Sequence, residues 1–399
     1  MKQLNFVALG ALVVAYALGP LATQSLTPAV PFVHRDFDIS MAAAQMLISM
    51  AFATIAVMTL VYGPLSDRFG RRPVVLAGTG LFCLGSLIGA FAPSLEILII
   101  GRVLQAGGSA AGLVLTRAIV HDVYGRDRSA AVLAYVTMVM VFVPMLSPLV
   151  GGLLIDYIGW RAIFGLCTAI GAAALVLLAV NLPETKRMRA EKLGFREAFK
   201  NFAVLLGDRN YLGPALFFSL VMASMFVAQA AIPYLIVEVR GGTATEYGIG
   251  FMILCAVYIV GNYISGRWGQ LIPRSRLIIW CGLGCIASSV AGALAVSALG
   301  WDTVMLFLPA IGLSLFGAIA IAPVQSEAVS AQPARSGSAS GLMSSMQMAI
   351  GAVVVQIVGF SHDGTPYPMF IALVTCTAGA VAAYAGATLF QGRPAPSPA

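Results

Sequence analysis

The sequence predicts an all-α polytopic membrane protein, with twelve transmembrane helices in two pseudo-symmetric six-helix bundles. Three observations predict it. Of the 399 residues, 59% are hydrophobic and only 10% charged, whereas about a quarter are charged in an ordinary soluble domain. Twelve helices of about 20 residues would occupy roughly 60% of this chain, which matches the apolar fraction. The basic residues, finally, gather in alternate connections between apolar runs. A soluble enzyme, a disordered chain and a disulfide scaffold are excluded together.

Runs long enough to cross a hydrocarbon core fall at 5–32, 42–63, 73–92, 96–120, 130–155 and 162–182. A second set falls at 211–237, 246–268, 276–299, 303–325, 338–360 and 366–390. Helices are expected because lipid cannot satisfy backbone polar groups, and no alternating pattern suggests a barrel. With both termini in the cytoplasm, the cytoplasmic segments hold 18 of the 23 basic residues and the outer segments only Arg35, Arg161 and Arg240. The net charge of +7 is therefore an orientation signal, with no nucleic-acid partner implied. Lys2, the apolar run 6–14 and Ala15-Tyr16-Ala17 imitate a signal peptide, but the apolar stretch continues to Val33, so it reads as the first span. The six cysteines lie in spans and read as small buried residues, with no metal site expected.

The domain reading is 1–182, a cytoplasmic linker at 183–210, and 211–399. Within the linker, Leu193, Phe195, Phe199 and Phe202 recur near helical spacing opposite Arg196, Glu197 and Lys200. This reads either as a short amphipathic helix on the membrane surface or as a solvated linker.

The stretch after the second span runs Gly63-Pro-Leu-Ser-Asp67-Arg68-Phe-Gly70-Arg71-Arg72-Pro73. Gly63 and Gly70 would let two helices approach and the chain reverse, while Arg71 and Arg72 anchor the cytoplasmic side. Asp67 is an acid where basic residues are expected, so it wants a fixed positive partner; the start of the eleventh span, Ser336–Gly341, offers free helix amides. Asp122 is the natural partner for Arg68 or Arg71. These residues form a candidate conformational latch, against the plainer alternative of a topological anchor.

This stretch resembles the signature of the major facilitator superfamily. Further motifs narrow the resemblance. Leu18-Gly19 through Pro28-Ala-Val-Pro31, Arg102-Val-Leu-Gln105-Ala-Gly107-Gly108, and Ser147-Pro148-Leu-Val-Gly151-Gly152 are similar to motifs of the twelve-span drug:proton antiporters. Trp160-Arg161-Ala-Ile-Phe164 and Leu182-Pro183-Glu184-Thr185 resemble the bicyclomycin/chloramphenicol-resistance (Bcr/CflA) exporters. The resemblance implies the major facilitator fold, a bacterial inner membrane location, a monomer, no cofactor beyond a proton gradient, and multidrug efflux by alternating access. It also implies a role for Arg102 in proton coupling, and contact of the bent Ser147, Pro148, Gly151 and Gly152 face with the second half. An arginine bonded to backbone carbonyls and a bend made for packing alone are the plainer readings.

The chain departs from the family at Gln24, where related exporters usually carry an aspartate. None of the 16 acids falls mid-membrane. Coupling then falls to a rim acid such as Asp36, Asp38, Asp156 or Glu238, or to another route. A cation would lack a buried counter-charge, whereas Arg102 favours neutral or weakly acidic amphiphiles. Gln24 lies at a similar depth to Arg102 and is expected to share its hydrogen-bond network, and Arg117 is expected beside Asp122. The candidate substrate and proton pathway comprises Gln24, Arg102, Gln105 and Tyr16, then Met138, Phe142 and Met145 on the fifth span. It continues through Met222, Met225 and Gln229 on the seventh, Tyr258 and Asn262 on the eighth, and Met346 and Gln347 on the eleventh. Methionine adapts to varied shapes, which suits a polyspecific pocket. Gly282-Leu-Gly284-Cys-Ile-Ala287 imitates a dinucleotide fingerprint but lies inside a span with no strand before it. No constellation of His, Ser or acids suggests an enzyme. The leading expectation is an exporter of small amphiphiles such as antibiotics; the alternatives are a facilitator or symporter of an endogenous metabolite, and a sensor without flux.

Overall fold

The computed structural model describes residues 4–185, 195–269 and 271–390, with side chains left aside at 125–131, 133–135, 137–141, 195–199, 334, 389 and 390. Among the described residues every regular element is helical. The helices are α1 (Phe6–Leu26), α2 (Val30–Asp36), α3 (Met41–Phe69), α4 (Arg71–Ala90), α5 (Leu95–Tyr157), α6 (Arg161–Asn181) and α7 (Phe195–Gly207). After them come α8 (Arg209–Tyr234), α9 (Ala244–Trp268), α10 (Arg274–Leu299), α11 (Thr303–Ser330), α12 (Ser336–Phe360) and α13 (Tyr367–Phe390). Among the described residues, eleven stretches are long and apolar enough to span a bilayer, and Phe142–Tyr157 is a shorter apolar helix.

The fourth and fifth spans share one element. The expected spans at 96–120 and 130–155 both fall within α5, whose backbone is helical throughout, with apolar stretches at Leu95–Tyr124 and Phe142–Tyr157. The backbone must still fold back. Gly112 lies on the carbonyl of Ala15 and Gly151 on that of Ser25. A straight helix would separate those glycines by about 58 Å, whereas their partners on α1 are only about 15 Å apart. Both ends of α5 therefore pack on α1, and the chain crosses twice.

Two compact units result. The first comprises 1–195 together with 233–252, the second 196–232 together with 253–399. In the first, glycines bring α4 and α5 into backbone contact. A Cβ at Gly108 would lie 2.3 Å from the Phe82 nitrogen, and one at Gly85 would lie 2.3 Å from the Gln105 nitrogen. Only glycine permits that approach. At one end of this unit, Trp160 packs edge-on against Phe37 and Phe164 over a core that includes Leu26, Leu98 and Ile155.

The second unit closes around Phe217, Ile278, Val324, Leu342 and Tyr384. The helix expected in the linker forms as α7, with Phe202 and Leu205 packed into this core. Arg335 donates to Asn201 at 2.9 Å and Gln332 to Asp208 at 2.7 Å, fastening the same helix. Leu193, Lys192 and their neighbours in 186–194 lie outside the described residues.

The α4–α5 contact yields a paired prediction. Gly108→Ala is expected to cost about 1–3 kcal/mol through overpacking, whereas Gly80→Ala, with open space where the Cβ would go, is expected to be neutral. Thermal unfolding in detergent compares the two.

Candidate functional site

Among the described residues of the first unit, Arg102 is the most deeply buried charge, at 1% exposure. Three helices converge on its guanidinium. Nε donates to the Leu47 carbonyl on α3 at 3.1 Å, Nη1 to Gln105 Oε1 on α5 at 2.6 Å, and Nη2 to Thr23 Oγ1 on α1 at 3.0 Å. Gln105 then donates to Ser86 Oγ at 2.9 Å, and Ser86 donates to the Phe82 carbonyl at 2.7 Å, which brings α4 into the network. Each acceptor named here is neutral. A guanidinium does not lose its proton, so the site keeps a positive charge fixed among helix dipoles and amides.

This corrects the expectation for Gln24. The acceptor from α1 is Thr23, one residue earlier, and Gln24 Oε1 has no hydrogen-bond partner among the described residues. Adjacent helical positions point about 100° apart, so similar depth does not imply a shared face. Thr23, Ser86 and Leu47 escaped the sequence reading because a hydroxyl or a carbonyl carries no motif.

Arg117 is the second correction. Its Nε and Nη2 donate to Tyr16 Oη at 3.1 and 2.7 Å, and the guanidinium lies over the Tyr16 ring. Tyr16 is thereby buried under a cation. Asp122 instead receives Arg71 Nε at 3.0 Å, one of the two pairings foreseen for it.

Around Arg71 the latch residues assemble within the first unit. Arg71 Nη1 contacts Asp67 at 3.1 Å and donates to Ser66 Oγ at 2.5 Å. Asp67 thus has a cation one helical turn away. Glu184 is the member the motif reading did not place. Its carboxylate accepts the backbone N–H groups of Arg71 at 3.0 Å and Arg72 at 3.2 Å, capping α4 from 112 residues away. Arg72 Nη2 reaches the Ala179 carbonyl at 2.6 Å on α6. Gly70 permits this arrangement twice over, with φ at +97° and with Glu184 Oε2 standing 2.7 Å from where a Cβ would be. Gly63 does not act in this way. It is helical within α3, with nothing near its Cβ position, so the reversal belongs to Gly70 alone. Arg68 is exposed and lies over the ring of Phe69.

At the opposite end of the same unit lies a second set of contacts. Segment 233–252 joins α8 to α9 through a π-helical turn at Leu235–Val239. Arg35 on α2 pairs with Glu238 at 2.8 Å and donates to the Val237 carbonyl at 3.2 Å. Asp156, in the last turn of α5, accepts from Ala244 N at 3.3 Å, Thr245 N at 3.0 Å and Thr245 Oγ1 at 2.5 Å. The small residues at Gly151 and Gly152 make this possible. A Cβ at Gly151 would collide with Ser25, and one at Gly152 with the Ala244 carbonyl at 2.7 Å. Pro148 and Ser147 are buried just before them, with Ser147 Oγ donating to the Val143 carbonyl. The bent face therefore does contact a segment from the second half of the sequence.

The soft residues divide. Met222 lies in the apolar core of the second unit, with Met225, Tyr258 and Met346 packed against it. Gln229 and Gln347 are half-buried on α8 and α12. Asn262 donates to the Tyr258 carbonyl at 2.9 Å and lines a cleft of about 860 Å³ with Ser265, Arg274 and Ser326. On α5, Met145 is half-buried and Phe142 exposed, and the Met138 side chain lies outside the described residues.

Comparison with known proteins decides the family. The model of the Major Facilitator Superfamily matches residues 12–356. The chain belongs to that superfamily. Among relatives, it is 29% identical to "Multidrug resistance protein D" of Escherichia coli (strain K12), over 87% of this chain and 86% of that one. It is 30% identical to the "Chloramphenicol resistance protein" of Pseudomonas aeruginosa, over 77% and 73% respectively. In fold it matches a bacterial homologue of the human lysosomal transporter Spinster, with a TM-score of 0.78, 15% identity and complete coverage of both chains. The major facilitator chain is thus a multi-pass membrane transporter.

The corrected network makes a discriminating prediction. Thr23→Val removes an acceptor from a buried guanidinium and is expected to destabilise by about 1–3 kcal/mol, while Gln24→Ala is expected to change stability by less than about 0.5 kcal/mol. Thermal unfolding of both variants in detergent checks it.

Proposed function

We propose that this chain exports small neutral or weakly acidic amphiphiles, such as antibiotics, across a bacterial inner membrane by proton-coupled alternating access. The relatives named for multidrug and chloramphenicol resistance support the substrate class. The observation that carries the charge preference is Arg102, a fully buried cation held by neutral acceptors from three helices. A cationic compound entering the first unit near it meets a fixed like charge, whereas a neutral or acidic head meets an additional donor.

The distribution of Lys and Arg supports both termini in the cytoplasm. The Arg71–Glu184 cluster then faces the cytoplasm and the Asp156–Thr245 contacts face outward. In this reading Arg71, Asp67, Asp122, Gly70 and Glu184 hold the cytoplasmic ends of α3, α4 and α5. Ser147 through Gly152 provide the bent surface on which the outer end of α9 seats. Met222, Met225, Tyr258, Asn262, Met346 and Gln347 supply an adaptable apolar surface in the second half. Proton coupling proceeds without a mid-membrane carboxylate, and the working unit is a monomer.

Everted membrane vesicles test this reading under an imposed pH gradient. Accumulation of chloramphenicol is expected to exceed that of a quaternary ammonium dye, and Arg102→Gln is expected to reduce it about tenfold or more, the equivalent of one lost charge-assisted hydrogen bond. Preference for the quaternary dye would overturn the charge argument; accumulation unaffected by collapsing the pH gradient would overturn the coupling.

A further inference from the structure

We infer that Asp156 is a binding site for external protons, and that its protonation loosens the seat of α9 on α5 and so sets the rate at which the outer side opens. This rests on the exporter reading and its orientation, and adds a proton site distinct from the coupling step.

The geometry begins with three donors on one carboxylate. Ala244 N, Thr245 N and Thr245 Oγ1 all point at Asp156, and they are the first residues of a 25-residue helix. The carboxylate therefore caps α9 at its positive end, although the two elements are 88 residues apart in sequence. An ionised carboxylate accepts at both oxygens; the acid form has one O–H, which donates, and no charge to set against the helix end. When the proton adds to an Asp156 oxygen, one O–H bond forms and an acceptor of the seat is lost. The remaining hold on this segment differs in kind. Gly248 lies on Leu149, with a Cβ position 2.6 Å from the Leu149 Cα, and Gly152 lies on Ala244. That packing does not respond to pH.

The charged and titratable groups on the surrounding elements are few. On α2 they are His34, Arg35 and Asp36; on α5 itself, Tyr157; at the start of α6, Arg161; and on the docked segment, Glu238, Arg240 and Glu246. Arg35 pairs with Glu238, and Arg161 pairs with Asp36 at 2.6 Å, while Trp160 Nε1 also donates to Asp36 at 3.2 Å. Protonation of Glu238 would weaken its ion pair in the same direction, since Arg35 stays charged. Asp36 holds α2 to α6 and does not touch the docked segment in these contacts. Glu246 lies in the first turn of α9 itself, with its N–H donating to Thr243 Oγ1 at 3.1 Å; Asp156 is the acid from another element that accepts the first amides of that turn.

Its position fixes what the proton can do. Asp156 is exposed at the rim, so a proton taken from the outer medium returns to it. Such a proton changes a rate and leaves the transport stoichiometry untouched. In an acidic exterior, the outer seat releases more readily.

Hydrogen–deuterium exchange reads the seat itself, in full-length protein in nanodiscs, whether or not any compound is exported. The peptide covering Thr243 to Tyr247 is followed in the native chain and in Asp156→Asn, and the ratio of their exchange rates at each pH cancels the chemical pH dependence of exchange. The ratio is expected to be about fivefold at neutral pH, the effect of losing a helix N-cap, and to fall toward one as the medium is acidified. A ratio of one at neutral pH, or a raised ratio that does not change with pH, overturns the inference. Thr245→Val provides a second readout that keeps the carboxylate. Its ratio is also expected above one at neutral pH and near one in acid, and a ratio independent of pH there counts against the site equally. Absence of drug accumulation in vesicles would instead strike the exporter reading and leave the exchange result standing.

Discussion

One buried guanidinium organises the first half of this transporter. Arg102 cannot discharge, and moving it out of water is costly unless its donors are met. The chain meets them with a backbone carbonyl from α3, a hydroxyl from α1 and an amide from α5, and the last of these hands the network on to α4. Four helices must therefore lie at fixed rotation and depth. The glycine contacts between α4 and α5 follow from the same demand, since Gln105 reaches Ser86 only because Gly85 lets the two backbones touch. Removing the arginine would leave those acceptors buried and unmet.

Away from this centre, carboxylates perform one recurring task at both ends of the unit. Glu184 accepts the first amides of α4, and Asp156 accepts the first amides of α9. Each cap comes from a distant part of the sequence, so each ties tertiary structure to the integrity of a helix start. Both lie at positions where water can reach, which keeps the cost of the charge modest. Among the described residues, the interior of the first unit's spans holds two cations, Arg102 and Arg117, beside many soft apolar groups. That is a suitable interior for a compound whose charge is absent or negative.

Much of this was legible in the sequence, for physical reasons that differ from residue to residue. The spans could be read because lipid enforces continuous apolar runs, and Arg102 because a charge in such a run demands a purpose. The pairing of Arg71 with Asp122 followed from opposite charges at the same membrane depth. Depth alone misled at Gln24, because rotation about α1 gives the contact to Thr23. It misled again at Arg117, which sits over the Tyr16 ring and hydroxyl while Arg71 takes the acid. Glu184 was visible as part of a motif, but its cap depends on where α6 ends relative to α4. No periodicity reports that. The reversal within α5 was legible because the charged residues between its two apolar stretches were read as a turn.

The central claim is that the unneutralised charge of Arg102 sets the preference for neutral and acidic compounds. Gln105→Glu tests it most directly, placing a carboxylate where the amide oxygen now sits 2.6 Å from Nη1. The measurement is the ratio of initial transport rates for a weakly acidic and a quaternary ammonium substrate in proteoliposomes. The account predicts that the ratio falls about tenfold or more, in keeping with a charge-assisted contact. An unchanged ratio in a folded, active variant would contradict it.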